Sequence, residues 1–260
     1  MKRFIKDIKK YKNYAIYAAK SGLKAEVANS YLNWLWWILD PLLFMFVYMF
    51  IGLIVYKSKE DCYTLFVFTG LTLWNFFNKT VIGSVKLVRS KKSVVSKIYL
   101  PKYVLVISRM AENFIKMLIS FGIIIVMMIC YGRGFHFKQL FIIPILINMI
   151  LITFGVSTIV MHFGVFIEDL YNIMQVVLRV MFYLSGIFYS IPKKIGGKVG
   201  HYLLRLNPIA FCVDSVRRLI IDNQPVFLKW LCAWGVVGLL LSVIGIWLIY
   251  RYENSYVKAI

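Results

Sequence analysis

Apolar residues gather in six long runs, 34–56, 63–85, 104–131, 140–167, 170–190 and 227–250, each near the about 20 residues a helix needs to cross a hydrocarbon core. The stretch from Leu140 to Ser190 is apolar almost throughout, broken mainly at Glu168-Asp169 and by Asn172, Gln175 and Arg179. As one straight helix it would reach roughly 75 Å at about 1.5 Å per residue, against a core of about 30 Å. The pattern therefore predicts a hairpin turning at Glu168-Asp169.

Three polar segments carry a helical period of their own. In residues 1–30, Phe4, Ile5, Ile8, Tyr11 and Ala15 recur at spacings of three and four with lysines between, which predicts a basic amphipathic helix on the membrane surface. This segment is not a cleaved signal, because the first apolar run starts only at Trp34, is too long and lacks a small-residue cleavage site. In residues 86–101, Val88, Val95 and Tyr99 share one face with Val94 and Ile98 beside them, and Arg89, Lys91, Lys92 and Lys97 fall opposite. Such a helix lies on lipid or docks in a partner's groove, and Pro101 ends it. In residues 191–226, Asn207-Pro208 has the form of a helix cap followed by proline at the first helical position. Ile209, Val213, Val216 and Ile220 then mark an apolar face, with Asp214, Arg217 and Arg218 off it. The expectation is a short surface helix whose cations meet lipid head groups or a phosphate-bearing substrate.

The fold class that follows is an all-α integral membrane protein of six transmembrane helices. It forms one domain over residues 1–260, with the bundle at 34–250. Composition agrees: 61% of the 260 residues are hydrophobic and 16% charged, against about 45–50% and about 25% in soluble domains. The charge is lopsided, with 31 Lys and Arg against 11 Asp and Glu, a net of +20. Cations at the faces of a bilayer fit an oily, basic chain, whereas a nucleic-acid binder needs its basic patch on a polar folded surface.

Loop counting gives an orientation. The first 30 residues hold eight cations and the loop after the second span six, whereas the first loop (Lys57, Lys59) and the third (Arg133, Lys138) hold two each. Both termini are then cytoplasmic. One loop conflicts: residues 191–229 should be external by parity, yet carry seven cations (Lys193, Lys194, Lys198, Arg205, Arg217, Arg218, Lys229).

Candidate chemistry is sparse. Tyr31, Trp34, Trp37, Pro41, Phe44 and Tyr48 step by three and four along one face of the first span. Tryptophans near a span's end form an interfacial belt, but Phe44 and Tyr48 lie deeper, and a ring-lined path suits a sugar chain. Trp74, Phe76 and Phe77 could extend it. Asp40 fits a hydrogen-bonded interfacial carboxylate or a functional one. Arg109, Glu112 and Lys116 are spaced for an Arg–Glu and a Glu–Lys pair. Cys62, Cys130, Cys212 and Cys232 form no metal or redox spacing; Cys62 and Cys212, if both lie in outward loops, could pair. There is no G-x-x-x-x-G-K-[ST], no histidine ligand spacing and no paired carboxylate site, so no enzyme active site is visible.

The stretch Ser30-Tyr31-Leu32-Asn33-Trp34-Leu35-Trp36-Trp37-Ile38-Leu39-Asp40-Pro41-Leu42-Leu43 closely resembles the opening of the membrane subunit of bacterial polysaccharide ABC exporters, of the O-antigen and teichoic acid type. The likeness continues in order through Gly70-Leu71 with Trp74 and Phe76-Phe77, Ile98-Tyr99-Leu100-Pro101, Ser185-Gly186-Ile187-Phe188-Tyr189-Ser190, and Leu206-Asn207-Pro208 with Arg217. It implies a homodimer exporting a lipid-linked polysaccharide across the cytoplasmic membrane. The chain would bind no cofactor itself, and two copies of a separate cytoplasmic ATPase subunit would hold ATP and magnesium. It also implies roles. Residues 86–101, with Arg89, Lys91, Lys92, Lys97, Tyr99 and Pro101, would couple to the ATPase. Tyr189, Asn207, Pro208, Arg217 and Arg218 would belong to re-entrant gate helices in an external loop, 191–226. From the ring spacing itself, Tyr31, Trp34, Trp37, Phe44, Tyr48, Trp74 and Phe77 would line the path. One departure is Glu168-Asp169, where the family often has Arg-Asp. A permease of the same architecture for a drug or small lipid would need a greasier path. A glycan polymerase would need catalytic carboxylates, and Asp214 and Asp222 have no partner. A secondary transporter would show repeat halves.

Overall fold

The computed structural model describes all residues except 1, 29, 56–61, 196, 259 and 260, so Lys57 and Lys59 lie outside the described residues. Among the described residues the regular structure is helical throughout. Four stretches are long and apolar enough to cross a bilayer: Asn33–Phe50, Tyr103–Cys130, Phe137–Phe166 and Leu228–Arg251.

The centre of the bundle is α3, Tyr63–Val85, which falls on the predicted limits and is buried along nearly its whole length. It carries more polar side chains than a lipid-facing helix would tolerate. Thr69, Thr72, Thr80 and Ser84 each donate to the carbonyl four residues back, at 2.6 to 2.8 Å, so each hydroxyl is satisfied inside its own helix. Around α3 stand α2 (Trp36–Phe50), α6 (Tyr103–Cys130) and α7 (Ile142–Phe166). The most extensive pairing joins α7 to α12 (Leu228–Arg251). Small residues let these two backbones approach: a Cβ at Gly245 would collide with the Thr158 hydroxyl. Ser242 donates to the Leu151 carbonyl at 3.0 Å, and Asn148 to that of Leu231 at 2.7 Å.

The amphipathic N-terminal helix forms as α1, Lys2–Val27, and packs on α6. The segment at 86–101 departs from expectation. It is not one helix but two single turns, α4 (Leu87–Ser90) and α5 (Lys92–Val95), separated at Lys91, whose φ of −107° and ψ of 23° leave the helical region. Val88 and Val95 are buried, whereas Ile98 and Tyr99 are exposed, so the regular stripe extrapolated across the break does not exist.

The expected hairpin turns at Glu168-Asp169 into α8, Leu170–Leu184. With 15 residues, α8 extends about 22 Å, short of a core of about 30 Å, and stops six residues before the predicted end. Gly186 then takes a positive φ of 64°, which side chains other than glycine rarely adopt. The chain turns back through α9 (Ile191–Lys194), α10 (Gly197–Leu206) and α11 (Pro208–Ile220). Asn207 caps α11, accepting from the amides of Ile209 at 3.0 Å and Ala210 at 3.2 Å.

The cap is as predicted, but the setting of α11 is not. It is no surface helix: besides Ile209, Val213, Val216 and Ile220, the side chains of Phe211, Cys212, Ser215 and Leu219 are buried against α3 and α7. Cys212 is therefore not in a loop, and Cys62 and Cys212 are both free thiols, which removes the proposed pairing. Arg217, expected to face lipid heads or substrate, is 4% exposed. It donates to the carbonyls of Phe66 (2.9 Å), Gly186 (2.7 Å) and Ile187 (2.7 Å), with its guanidinium 3.4 Å from the Phe66 ring centroid. Arg218 covers the Phe227 ring and Arg205 that of Trp230.

Replacing Arg217 by Ala strips the Gly186 and Ile187 oxygens of a donor, at about 1–3 kcal/mol for each buried group left unsatisfied. The thermal-unfolding midpoint of the detergent-solubilised chain should fall much further than for Arg218→Ala. Gly70→Ala should reproduce much of this loss, because a Cβ there would collide with the Arg217 guanidinium. Midpoints equal to the parent's would refute this anchoring role.

Candidate functional site

Two hollows flank α2. The larger, about 560 Å³, lies among α2, α3 and α8, and the smaller, about 290 Å³, among α2, α3, α6 and the end of α1; Asp40, Asn75 and Lys79 line both. α2 and α8 each pack on α3. The larger hollow is therefore a groove whose floor is the central helix. Asp40 accepts from Lys79 Nζ at 3.2 Å across the base of α2, with both side chains partly exposed.

The groove is rich in rings. Tyr48 stacks near Phe44 (6.2 Å between centroids) and tilts against Phe188 (4.7 Å) and Phe182 (6.1 Å), while Trp74 meets Phe182 at 5.4 Å. Of the residues expected to line a path, Phe44, Tyr48 and Trp74 thus come together. Trp37 lines the smaller hollow instead, and Tyr31 and Trp34 are exposed at the start of α2. Phe77, only 2% exposed, packs behind Trp74 in the core. Sequence reasoning missed the polar side of the groove: Lys79, Gln175 and Arg179. The signal was there, since an ionisable residue well inside an apolar run marks a functional position by default. The rings of Phe182 and Phe188 gave no such signal, because nothing local separates them from core.

At the C-terminal end of α3 the segment 86–101 is tied to three elements. Arg89 bridges to Glu168 at 3.2 Å and donates to the Val165 carbonyl at 2.9 Å, so α4 is fastened to the α7–α8 turn and Glu168 itself takes a cation from α4. The Tyr99 hydroxyl donates to Glu253 in α13 (Glu253–Lys258) and accepts from Arg3 of α1 at 2.7 Å, while Tyr11 donates to the Tyr99 carbonyl at 3.2 Å. Burial, reinforced by the Glu253 carboxylate, pushes the Tyr99 hydroxyl up to about 12. Pro101 is buried, and Lys91, Lys92 and Lys97 are exposed on the outer face. The expected Arg109–Glu112 pair forms at 2.7 Å; Lys116 instead reaches Glu26 at the end of α1, because α1 lies alongside α6.

The gate candidates converge on the end of α8. Asn207 Nδ2 donates to the Ser185 hydroxyl at 3.1 Å, Arg217 holds the two following carbonyls, and the Tyr189 hydroxyl donates to the Tyr183 carbonyl at 3.0 Å. Pro208 opens α11.

Known proteins match this chain over most of its length. A family model described as ABC-2 type transporter covers residues 17–221. Two proteins named "O-antigen export system permease protein RfbA" from Klebsiella pneumoniae are each 28% identical over 228 residues, covering 86% of both chains. One of the same name from Myxococcus xanthus is 22% identical over 224 residues, again 86% of both.

The ties of Arg89 are unequal. The Glu168 carboxylate is exposed, and such pairs contribute about 0–1 kcal/mol. Arg89→Ala, which also leaves the Val165 carbonyl without its donor, should lower the unfolding midpoint more than Glu168→Ala. Equal shifts would mean that the carbonyl bond contributes nothing.

Proposed function

This chain belongs to the ABC-2 type transporter family, and from that premise we propose that it is the permease subunit of an exporter carrying a lipid-linked cell-surface polysaccharide across the bacterial cytoplasmic membrane. The observation that carries this reading is the groove among α2, α3 and α8. A glycan presents C–H faces to rings and hydroxyls to polar groups, and the groove offers Phe44, Tyr48, Trp74 and Phe182 beside Asn75 and Gln175. A wholly apolar drug or lipid would leave the groove's cations and amides without partners. The export function in the relatives' names supports the same substrate class.

In this reading the six apolar runs are six spans, with α8 a fifth span completed by the returning helices α9 to α11. Two copies of the chain face each other across their grooves. Two cytoplasmic ATPase subunits hold ATP and magnesium, since this chain has no phosphate-binding loop of its own. They engage the basic outer face of α4 and α5, so this end and both termini are cytoplasmic. Because Arg89 fastens α4 to the start of α8, movement of the coupling segment passes directly to the wall of the groove. Tyr99 carries the same movement to α1 and α13.

The test is co-expression with the partner ATPase and turnover in proteoliposomes. The two should co-purify, and lipid-linked O-polysaccharide should stimulate hydrolysis several-fold. Tyr48→Ala, with assembly intact, should remove most of that stimulation while basal hydrolysis persists. A chain that captures no ATPase, or a Tyr48→Ala complex stimulated as strongly as the parent, would overturn the reading.

A further inference from the structure

The groove has a vertical order that the proposed function does not itself require. α3 ends, and α8 begins, at the same side of the bundle, where Arg89 joins α4 to Glu168. Counted from that side at about 1.5 Å per residue, Lys79 lies six residues inside the end of α3, about 9 Å deep, and Arg179 lies nine residues inside α8, about 14 Å deep. Trp74 and Phe182 lie eleven and twelve residues in, about 17–18 Å deep. The cations therefore lie below the Trp74 and Phe182 rings. At the mouth, Lys86 Nζ sits 4.4 Å from the Tyr171 ring centroid, adding a third cation on the approach.

Two positive charges at this depth are costly unless paired or solvated. Lys79 has Asp40. Arg179 is exposed on the groove side of α8 and makes no hydrogen bond or ion pair among the described residues. Its planar guanidinium offers paired donors matched to phosphate oxygens. Gln175, one turn earlier on α8, and Asn75 on the floor supply neutral donors.

We propose that Arg179, with Lys79 and Gln175, forms a subsite for the phosphate or diphosphate that joins a lipid to its glycan. The proposal rests on the exporter reading and adds to it the part of the substrate held here. The lipid chain leaves through the gap between α2 and α8, and the first sugars lie against the ring band. Lys79 is held in reserve: a bound phosphate draws it from Asp40, so the carboxylate sets a threshold for binding.

The opposite effects of two substitutions test this. The full chain in phosphatidylcholine nanodiscs is titrated with geranylgeranyl diphosphate, geranylgeraniol and inorganic pyrophosphate. The lipid diphosphate should bind at least tenfold tighter than the alcohol or free pyrophosphate. Arg179→Gln should lose tenfold or more, Arg179→Lys, which keeps the charge but not the paired donors, should retain only part of the affinity, and Asp40→Asn should bind several-fold tighter by freeing Lys79. A folding defect cannot produce that gain. Equal binding of diphosphate and alcohol, equal binding of free pyrophosphate, an unaffected Arg179→Gln variant, or full displacement by phosphatidylglycerol in the disc would each overturn the subsite. If glycan-stimulated hydrolysis survives in the Arg179→Gln complex and diphosphate binding is unchanged, the subsite is wrong and the exporter stands. If wild-type hydrolysis ignores lipid-linked glycan while the diphosphate binds, the exporter reading is the one that fails.

Discussion

Arg217 holds together what would otherwise be a broken helix. α8 stops after 15 residues, and the backbone of Gly186 and Ile187 then runs in an apolar interior, where unpaired carbonyls cost several kcal/mol each. One guanidinium from α11 satisfies both and adds the Phe66 carbonyl of the central helix. Irregular backbone at membrane depth survives only where protein buries it, and here Arg217 takes the first two carbonyls while the Tyr63 hydroxyl donates to that of Phe188 at 3.1 Å. The return of α9 to α11, and the ring cluster around Phe188, both depend on that bond set. Gly70 is part of the same solution, because only a residue without a side chain leaves room for the guanidinium on α3.

The same bonds change the meaning of the chain's charge. Seven cations in residues 191–229 conflict with an external loop when they are counted as orientation signals. Arg217 is occupied by carbonyls, and Arg205 and Arg218 lie over the rings of Trp230 and Phe227. These three serve packing, so their weight in the count falls. The cations of residues 86–101 differ: Lys91, Lys92 and Lys97 are exposed.

Features encoded in neighbouring residues were legible in the sequence. Tyr63–Val85 was readable to its limits because turn signals bound a continuous run, and the Asn207-Pro208 cap because it is a local bond. The two-turn break at Lys91 was not, since a smooth period of three and four extrapolates across it. Nor was the burial of α11. Its Arg217 and Cys212 are polar or reactive side chains off the apolar stripe, and only contacts with residues as distant as Phe66 take them inside. Lys116 fits Glu112 in spacing, yet pairs with Glu26 because α1 packs against α6. The groove followed the same rule: its α2 rings show a period, whereas Lys79 and Arg179 belong to different runs and come to line one groove only in the fold.

The central claim is that the groove among α2, α3 and α8 is a wet path at membrane depth. It is tested most directly by placing single cysteines in a chain whose four natural ones have been replaced. With a membrane-impermeant cationic thiol reagent, Gln175→Cys should react rapidly, and Val236→Cys, on the exposed outer face of α12, should react slowly or not at all. Gln175→Cys as inert as Val236→Cys would contradict the account.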